Sequence, residues 1–218
     1  ASALPAARAV GPVGPVGRVD AVDLAGALVD HGRRAAATLP QLRFHHDDVT
    51  TWRPADEPYD LVQAAYGVFF LPDMDAGSRY LVSLLRPGGR FAVQTWRQGA
   101  LVDFARCMFE AVADELSHPL ESPVAKAAGE RINSAAKLSD WLSSLELADV
   151  RVSEVGFVQP LTPELAWNLV LGTGWRQLLA GCDDEAMRRI RDGIIARLAQ
   201  RHITQLDAGS VVGTAVRA

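Results

Sequence analysis

Two aspartates set the chemical question. Asp23 closes the β-type run Arg18-Val19-Asp20-Ala21-Val22-Asp23-Leu24, and Asp48 follows Leu42-Arg43-Phe44-His45-His46 one unit later. In an open parallel sheet, ligands bind beyond the carboxyl ends of the strands, near the point where strand order reverses. The residues to inspect are therefore Asp23-Leu24, Asp47-Asp48-Val49, Ala65-Tyr66-Gly67 and Trp96. A carboxylate at Asp23 suits a bidentate hydrogen bond to the two hydroxyls of an adenosine ribose; equally, a solvated acid there caps the next helix. Asp48 suits an adenine amino group, with Val49 packed on the ring, although a lone acid after a strand is more often a turn residue. What favours the ligand reading is the ordered pair, followed by Tyr59-Asp60-Leu61-Val62.

Other chemistry-bearing residues carry plainer accounts. His45-His46-Asp47-Asp48 has the composition of a metal cluster, but neighbouring side chains on a strand point to opposite faces, so at most alternate members converge. Gly11, Gly14 and Gly17 suggest a phosphate loop, yet such a loop runs from strand to helix, and this one runs from helix to strand with the spacing GxxGxxG. None of the three tyrosines begins Tyr-x-x-x-Lys; the residues four on are Gln63, Phe70 and Leu84, which excludes a short-chain dehydrogenase site. His118 is a candidate general base for a substrate hydroxyl, or a surface histidine before Pro119. Trp96, Trp167 and Trp175 are candidates for an aromatic pocket, though core packing is the commoner use of tryptophan.

The elements that must position these residues alternate. Ala1 to Val10 reads as a helix with no N-cap ahead of it, and the Gly/Pro run 11–17 breaks it. Strand signals at 18–24 and 42–46 enclose a helix from Leu28 to Leu39. Tyr59 to Ala65 is apolar enough for a strand buried on both faces. A helix follows from Asp73 to Leu85, with Gly88 at the C′ position, then a strand from Arg90 to Thr95. This alternation predicts an α/β fold with a parallel sheet wound on both sides. The second half reads differently: a helix from Leu101 to Leu116, a loop-rich connection over 117–133, a helix capped by Ser134 through Leu147, and a strand from Val150 to Val158. Thr162-Pro163-Glu164 opens a further helix with an N-cap, proline at the first position and an acid in the first turn. Met187, Ile190, Ile194 and Leu198 mark an amphipathic helix begun by Asp183 or Asp184, and Ser210 to Val216 reads as a final strand.

Composition narrows the class. Lys plus Arg is 22 and Asp plus Glu is 26, a net charge of −4 that disfavours a general nucleic-acid binder. An apolar fraction of 49% over 218 residues supports one domain with a sizeable core. No run is apolar and long enough for a membrane-spanning helix, and no signal peptide pattern opens the chain. Cys107 and Cys182 lack CxxC spacing. These features together lead to the expectation of a cytoplasmic enzyme with a small-molecule substrate, without nucleic-acid or membrane partners, and with a homodimer as one option.

With these residues in view, the chain resembles the class I S-adenosylmethionine-dependent methyltransferases of the bacterial small-molecule type. The resemblance runs from Ala1 to about Trp96. Its carriers are Gly17 to Leu24, Phe44-His45-His46-Asp47-Asp48-Val49, Tyr59-Asp60-Leu61-Val62, Phe69-Phe70-Leu71-Pro72-Asp73 and, most specific, Leu85-Arg86-Pro87-Gly88-Gly89-Arg90-Phe91. In the last, proline stops a helix and the glycines take a tight positive-φ turn. The resemblance implies a Rossmann-like, mostly parallel sheet with an antiparallel last strand and helical lid elements. It implies S-adenosylmethionine as cofactor, with Asp23 and Leu24 at the ribose, Asp48 and Val49 at the adenine, and Ala65 and Tyr66 at the methionine end. It implies that 1–98 forms the cofactor-binding half and 99–218 the remainder, with a lid over 99–133 and a helical insertion over 159–209 that roofs the site or makes a dimer contact. The chain departs from the family in lacking the glycine-rich loop and the strand before it. The expectation is a polypeptide continuing upstream of Ala1, the alternative a relative whose strand is lost or supplied by another chain. The expected reaction is methyl transfer to oxygen, nitrogen or carbon of a small metabolite, such as a natural product. A non-methylating reaction such as cyclisation on the same fold, and a non-catalytic binding protein, are the alternatives.

Overall fold

A computed structural model describes residues 2–11, 17–54, 57–116 and 123–218. The helix expected at the start is α1, Ala3–Val10. The first unit is β1 (Val19–Asp23), α2 (Gly26–Ala35) and β2 (Leu42–His46), with β1 and β2 parallel and Asp23 opposite His46. Ala7, Ala36 and Leu42 form a small core beneath it.

The main sheet comprises β3 (Tyr59–Ala65), β4 (Leu85–Trp96), β5 (Leu147–Val155) and β8 (Ser210–Arg217), in the order β3-β4-β8-β5. β3 is parallel to β4, while β8 is antiparallel to both β4 and β5, so the last strand is reversed as expected. Helices α3 (Met74–Ser83) and α6 (Ala135–Ser144) supply apolar residues to the same core as this sheet. Inside β4, burial alternates through Phe91, Val93 and Thr95, the period of two expected when one set of side chains faces the core. Leu81, Phe91, Leu138, Leu142 and Val211 are all within this core. Full burial of Phe91 alone is worth roughly 2–3 kcal/mol. At Gly213 an added Cβ would stand 2.7 Å from Leu142 Cδ1 and 2.9 Å from Leu138 Cδ2, so glycine lets α6 lie close on β8.

Four local expectations need correction. β3 is not buried on both faces: it is an edge strand of its sheet, and Leu61 is 48% exposed. Gly88 is not a helix C′ residue. Helix α3 already ends at Ser83, and Leu85 pairs with Tyr59 before the register shifts, so Leu85-Arg86-Pro87-Gly88-Gly89 forms a bulge inside β4. The turn chemistry holds there: Gly88 has φ +75°, and a Cβ on Gly89 would meet the Arg86 carbonyl oxygen at 2.8 Å. The connection over 117–133 contains a helix, α5 (Pro123–Glu130), and residues 117–122 lie outside the described ones. The strand expected from Val150 begins at Leu147, which shortens α6 accordingly.

A second core joins α4 (Val102–Glu115), α7 (Pro163–Gly172), a 3-10 turn at Gly174–Leu179 and α8 (Asp184–Gln200). β6 (Val158–Pro160) and β7 (Gln205–Asp207) pair antiparallel and close this insertion at its base. The start signals act as expected: Thr162 accepts from Leu165 N–H, Ser134 from Lys137 N–H and Asp183 from Ala186 N–H. Ile190, Ile194 and Leu198 bury one face of α8, whereas Met187 stays half-buried. No helix among the described residues is long and apolar enough to cross a membrane.

Candidate functional site

Asp23 and Asp48 lie at the same end of the two-stranded sheet, because β1 and β2 are parallel and the Asp47 N–H donates to the Asp23 carbonyl at 3.2 Å. Asp23 is exposed, and its Oδ1 accepts from Ala25 N–H at 2.8 Å. That bond shapes the turn into α2 and uses one carboxylate oxygen, so the turn account and the ligand account are compatible. Leu24 is 67% exposed, and its carbonyl meets His46 Nε2 at 3.0 Å. Asp48 Oδ1 accepts from both the backbone N–H (2.8 Å) and the hydroxyl (2.7 Å) of Thr50. These bonds, hydroxyl first, hold its carboxyl below the usual carboxylate range. Val49 turns inward and packs against the core of the main sheet, alongside Val62 and Ala64. It is the candidate residue that ties the two sheets together.

The two sheets also share a polar bridge. The Tyr59 hydroxyl, at the start of β3, donates to Asp20 Oδ2 on β1 at 2.9 Å and accepts from Trp52 Nε1 at 3.1 Å. Asp20 further holds Arg18 Nε at 2.9 Å and His45 Nε2 at 3.0 Å, with its side chain only 6% exposed. His45 is thus turned to Asp20 and His46 to Leu24. Among the described residues no three His, Cys, Asp or Glu side chains gather as metal ligands.

The other pair, Ala65 and Tyr66, belongs to the end of β3. Ala65 sits opposite Gln94, and Tyr66 N–H donates to the Gln94 carbonyl at 2.8 Å. Tyr66 has φ +55°, a left-handed conformation uncommon for a bulky residue. Its side chain is fixed at both ends. The ring packs on Trp96 with centroids 4.1 Å apart, Gln94 Nε2 donates to the hydroxyl at 2.7 Å, and Ser210 Oγ lies 2.6 Å from it. Either hydroxyl of the Tyr66–Ser210 pair can donate to the other, and the Ser210 hydroxyl also reaches the Ala208 carbonyl at 3.4 Å. Tyr66 therefore extends toward β4 and β8.

Trp96 packs against both cores, and Arg97 Nη2 beyond it pairs with Asp207 Oδ2 at 2.6 Å. The Gly209 N–H, then Arg97, holds the Asp207 carboxyl below its usual range. Above this end, Trp175 packs on Phe104 and Phe109, and Gly174 lies against Phe70. The three tryptophans do not make one pocket. Each packs partly buried against the second core, with Trp96 alone on Tyr66. Gln94, Ser210 and the Arg97–Asp207 pair carry no motif; only their position at strand ends marked them. His118 and Gly14 lie outside the described residues.

The site set by Asp23 and Asp48 fits the adenosine half of a nucleoside cofactor. Each carboxylate keeps one oxygen free of hydrogen bonds to the described residues, and the exposed Leu24 side chain offers an apolar contact beside them.

Residues 2–89 match the family described as Methyltransferase domain. A trans-aconitate 2-methyltransferase of Klebsiella pneumoniae (strain 342) is 27% identical over 184 residues, covering 79% of this chain and 64% of its own. One of Variovorax paradoxus (strain S110) is 38% identical over 60 residues, 28% of this chain and 23% of its own. The chain thus spans less than two thirds of either relative. The solved YcgJ protein from Bacillus subtilis superposes with TM-score 0.55 at 13% identity, covering 92% of this chain and 82% of that one, a likeness of fold. Over residues 2–89, less than half of the chain, the sequence is thus similar to a methyltransferase domain, and the fold, with its reversed last strand, is similar to that of the solved structure.

Proposed function

We propose that the protein binds S-adenosylmethionine across the carboxyl ends of β1, β2 and β3 and methylates a small carboxylic acid. The observation that carries the reading is the pair of carboxylates just beyond adjacent parallel strands, Asp23 at the end of β1 and exposed, Asp48 two residues past β2 and half-buried, each with one oxygen free of hydrogen bonds to the described residues. Asp23, with Leu24 beside it, accepts from the ribose hydroxyls. Asp48 accepts from the adenine amino group, and Val49 borders the ring. Ala65 and Tyr66 border the methionine end.

The bound cofactor supplies an activated methyl group on a sulfonium, so the chemistry left to the protein is alignment and the exclusion of competing water. Tyr66 is suited to alignment, because Gln94, Ser210 and Trp96 immobilise its ring without help from a ligand. Arg97 stands next to this aromatic pair and is one-third exposed, which suits it to an anionic acceptor. An acid acceptor is supported by the trans-aconitate in the relatives' names. A carboxylate is already deprotonated at neutral pH, and its methylation requires no general base.

Calorimetric titration with S-adenosylmethionine tests the cofactor site. Asp23→Ala removes charge-assisted hydrogen bonds worth about 1.5–3 kcal/mol, an affinity loss of roughly 10- to 150-fold. Unchanged binding in this variant refutes the assignment of Asp23. Product mass then separates methyl transfer, which adds one methyl group, from a cyclisation, which adds none.

A further inference from the structure

The helical insertion carries a second feature that the methyl-transfer reading does not use. Between α7, the 3-10 turn and α8 lies an open cleft of about 460 Å³, within the range of small-molecule sites. Trp167, Leu171 and Met187 contribute its apolar surface, each half-buried, and Arg176, Arg188 and Arg191 its cationic edge. Asp184 is the acid in its wall, and Arg191 also lies within electrostatic reach of Glu164.

The arginines here differ from their neighbours on the same helix. Arg189 pairs with Glu115 and Glu185, Arg197 with Asp114 and Glu110, and Arg201 with Glu110. Those residues tie α8 to α4. Arg176, Arg188 and Arg191 make no ion pair or hydrogen bond with the described residues, although the chain as a whole carries a net charge of −4. A solvated arginine face would show charge alone. Here three guanidinium groups without an ion pair or hydrogen bond among the described residues line the same cleft as a half-buried tryptophan, leucine and methionine.

We propose that this cleft binds a small organic carboxylate with an apolar body, the carboxylate held by Arg188 and Arg191 with Arg176 opposite, and the body laid against Trp167, Leu171 and Met187. A guanidinium fork matches a carboxylate with two parallel hydrogen bonds. A half-buried indole with a thioether beside it favours an aryl group over a branched polar one. None of the lining residues belongs to the strand ends that carry the cofactor proposal, so the inference stands whether or not that reading does.

The test is calorimetry with 4-phenylbutyrate at low salt, against 4-phenyl-1-butanol and inorganic phosphate as probes of body and charge alone. The expected result is binding of the acid at least tenfold tighter than of the alcohol or of phosphate. Arg188→Ala/Arg191→Ala should weaken it at least tenfold, with melting temperature and S-adenosylmethionine titration unchanged. Trp167→Leu should weaken the acid and abolish its quenching of tryptophan fluorescence. No binding of the acid, equal affinity for acid and alcohol, or an unchanged affinity in the double arginine variant overturns the proposal.

Discussion

Removing one oxygen, in Tyr59→Phe, probes the join between the two sheets. The hydroxyl makes two bonds: it donates to Asp20 Oδ2 at 2.9 Å and accepts from Trp52 Nε1 at 3.1 Å. Losing a hydrogen bond to a carboxylate costs about 1.5–3 kcal/mol, and the indole N–H left behind adds up to about 1 kcal/mol where it stays dry. Two facts limit the loss. Asp20 keeps Arg18 and His45, so no charge is orphaned, and the phenyl ring retains its apolar contacts. The net expectation is a destabilisation of about 2–3 kcal/mol, or roughly 4–12 °C in melting temperature for a chain of this size. Urea titration at pH 7 measures it, with an unchanged m-value showing that the folded state is otherwise intact. There is an alkaline signature as well. Burial raises the Tyr59 phenol above its ordinary value of 10.0; the bond from Trp52 opposes this, and Asp20 adds to it. A raised value in the folded state means stability that is present below pH 10.0 and lost as pH rises through the folded value. The difference between wild type and Tyr59→Phe should therefore shrink above that pH. A change below about 0.5 kcal/mol at pH 7, within the range of ordinary surface substitutions, would mean that the bridge does not hold the sheets together.

Two further expectations concern stability. Gly89→Ala should cost about 1–3 kcal/mol in urea titration, because the new Cβ would lie 2.8 Å from the Arg86 carbonyl and 3.1 Å from that of Tyr59, and backbone at a bulge cannot swing aside; a neutral result would contradict the bulge. Asp75→Asn should flatten the acid limb of the stability curve. Burial pushes the Asp75 carboxyl up, but the Trp141 indole N–H and Arg131 outweigh it and leave it below its ordinary value of 3.8. A lowered value gives stability present above pH 3.8 and lost as pH falls through the folded value, so the wild type should lose more than the variant on acidification, read by thermal melts from pH 6 to 2.5.

Much of the scaffold was legible because its signals are local. Thr162-Pro163-Glu164, Ser134 and Asp183 start helices by bonding backbone within three residues of themselves. Strand β2 runs from Leu42 to His46 as its alternation indicates. The glycines after Pro87 take the strained turn, although their setting is a strand bulge and not a helix end, since the pairing of Leu85 with Tyr59 depends on a distant strand. The exposure of Leu61 was illegible for the same reason: an apolar run reports its own composition, whereas burial on both faces needs a packed layer over each face of the sheet.

The candidate site divides along this line. The sequence alone determined that Asp23-Leu24 and Asp48-Val49 end successive parallel strands, because strand period and turn residues are read within a dozen positions. Only the tertiary structure decided what surrounds Tyr66. Its partner Ser210 lies 144 positions away, and Gln94 and Trp96 reach it because β4 runs parallel beside β3 and antiparallel beside β8. The same holds for the arginine cleft, where a 3-10 turn and two helices meet with no shared periodicity. Local rules place a residue at the end of an element; strand order and helix packing choose the groups it meets there.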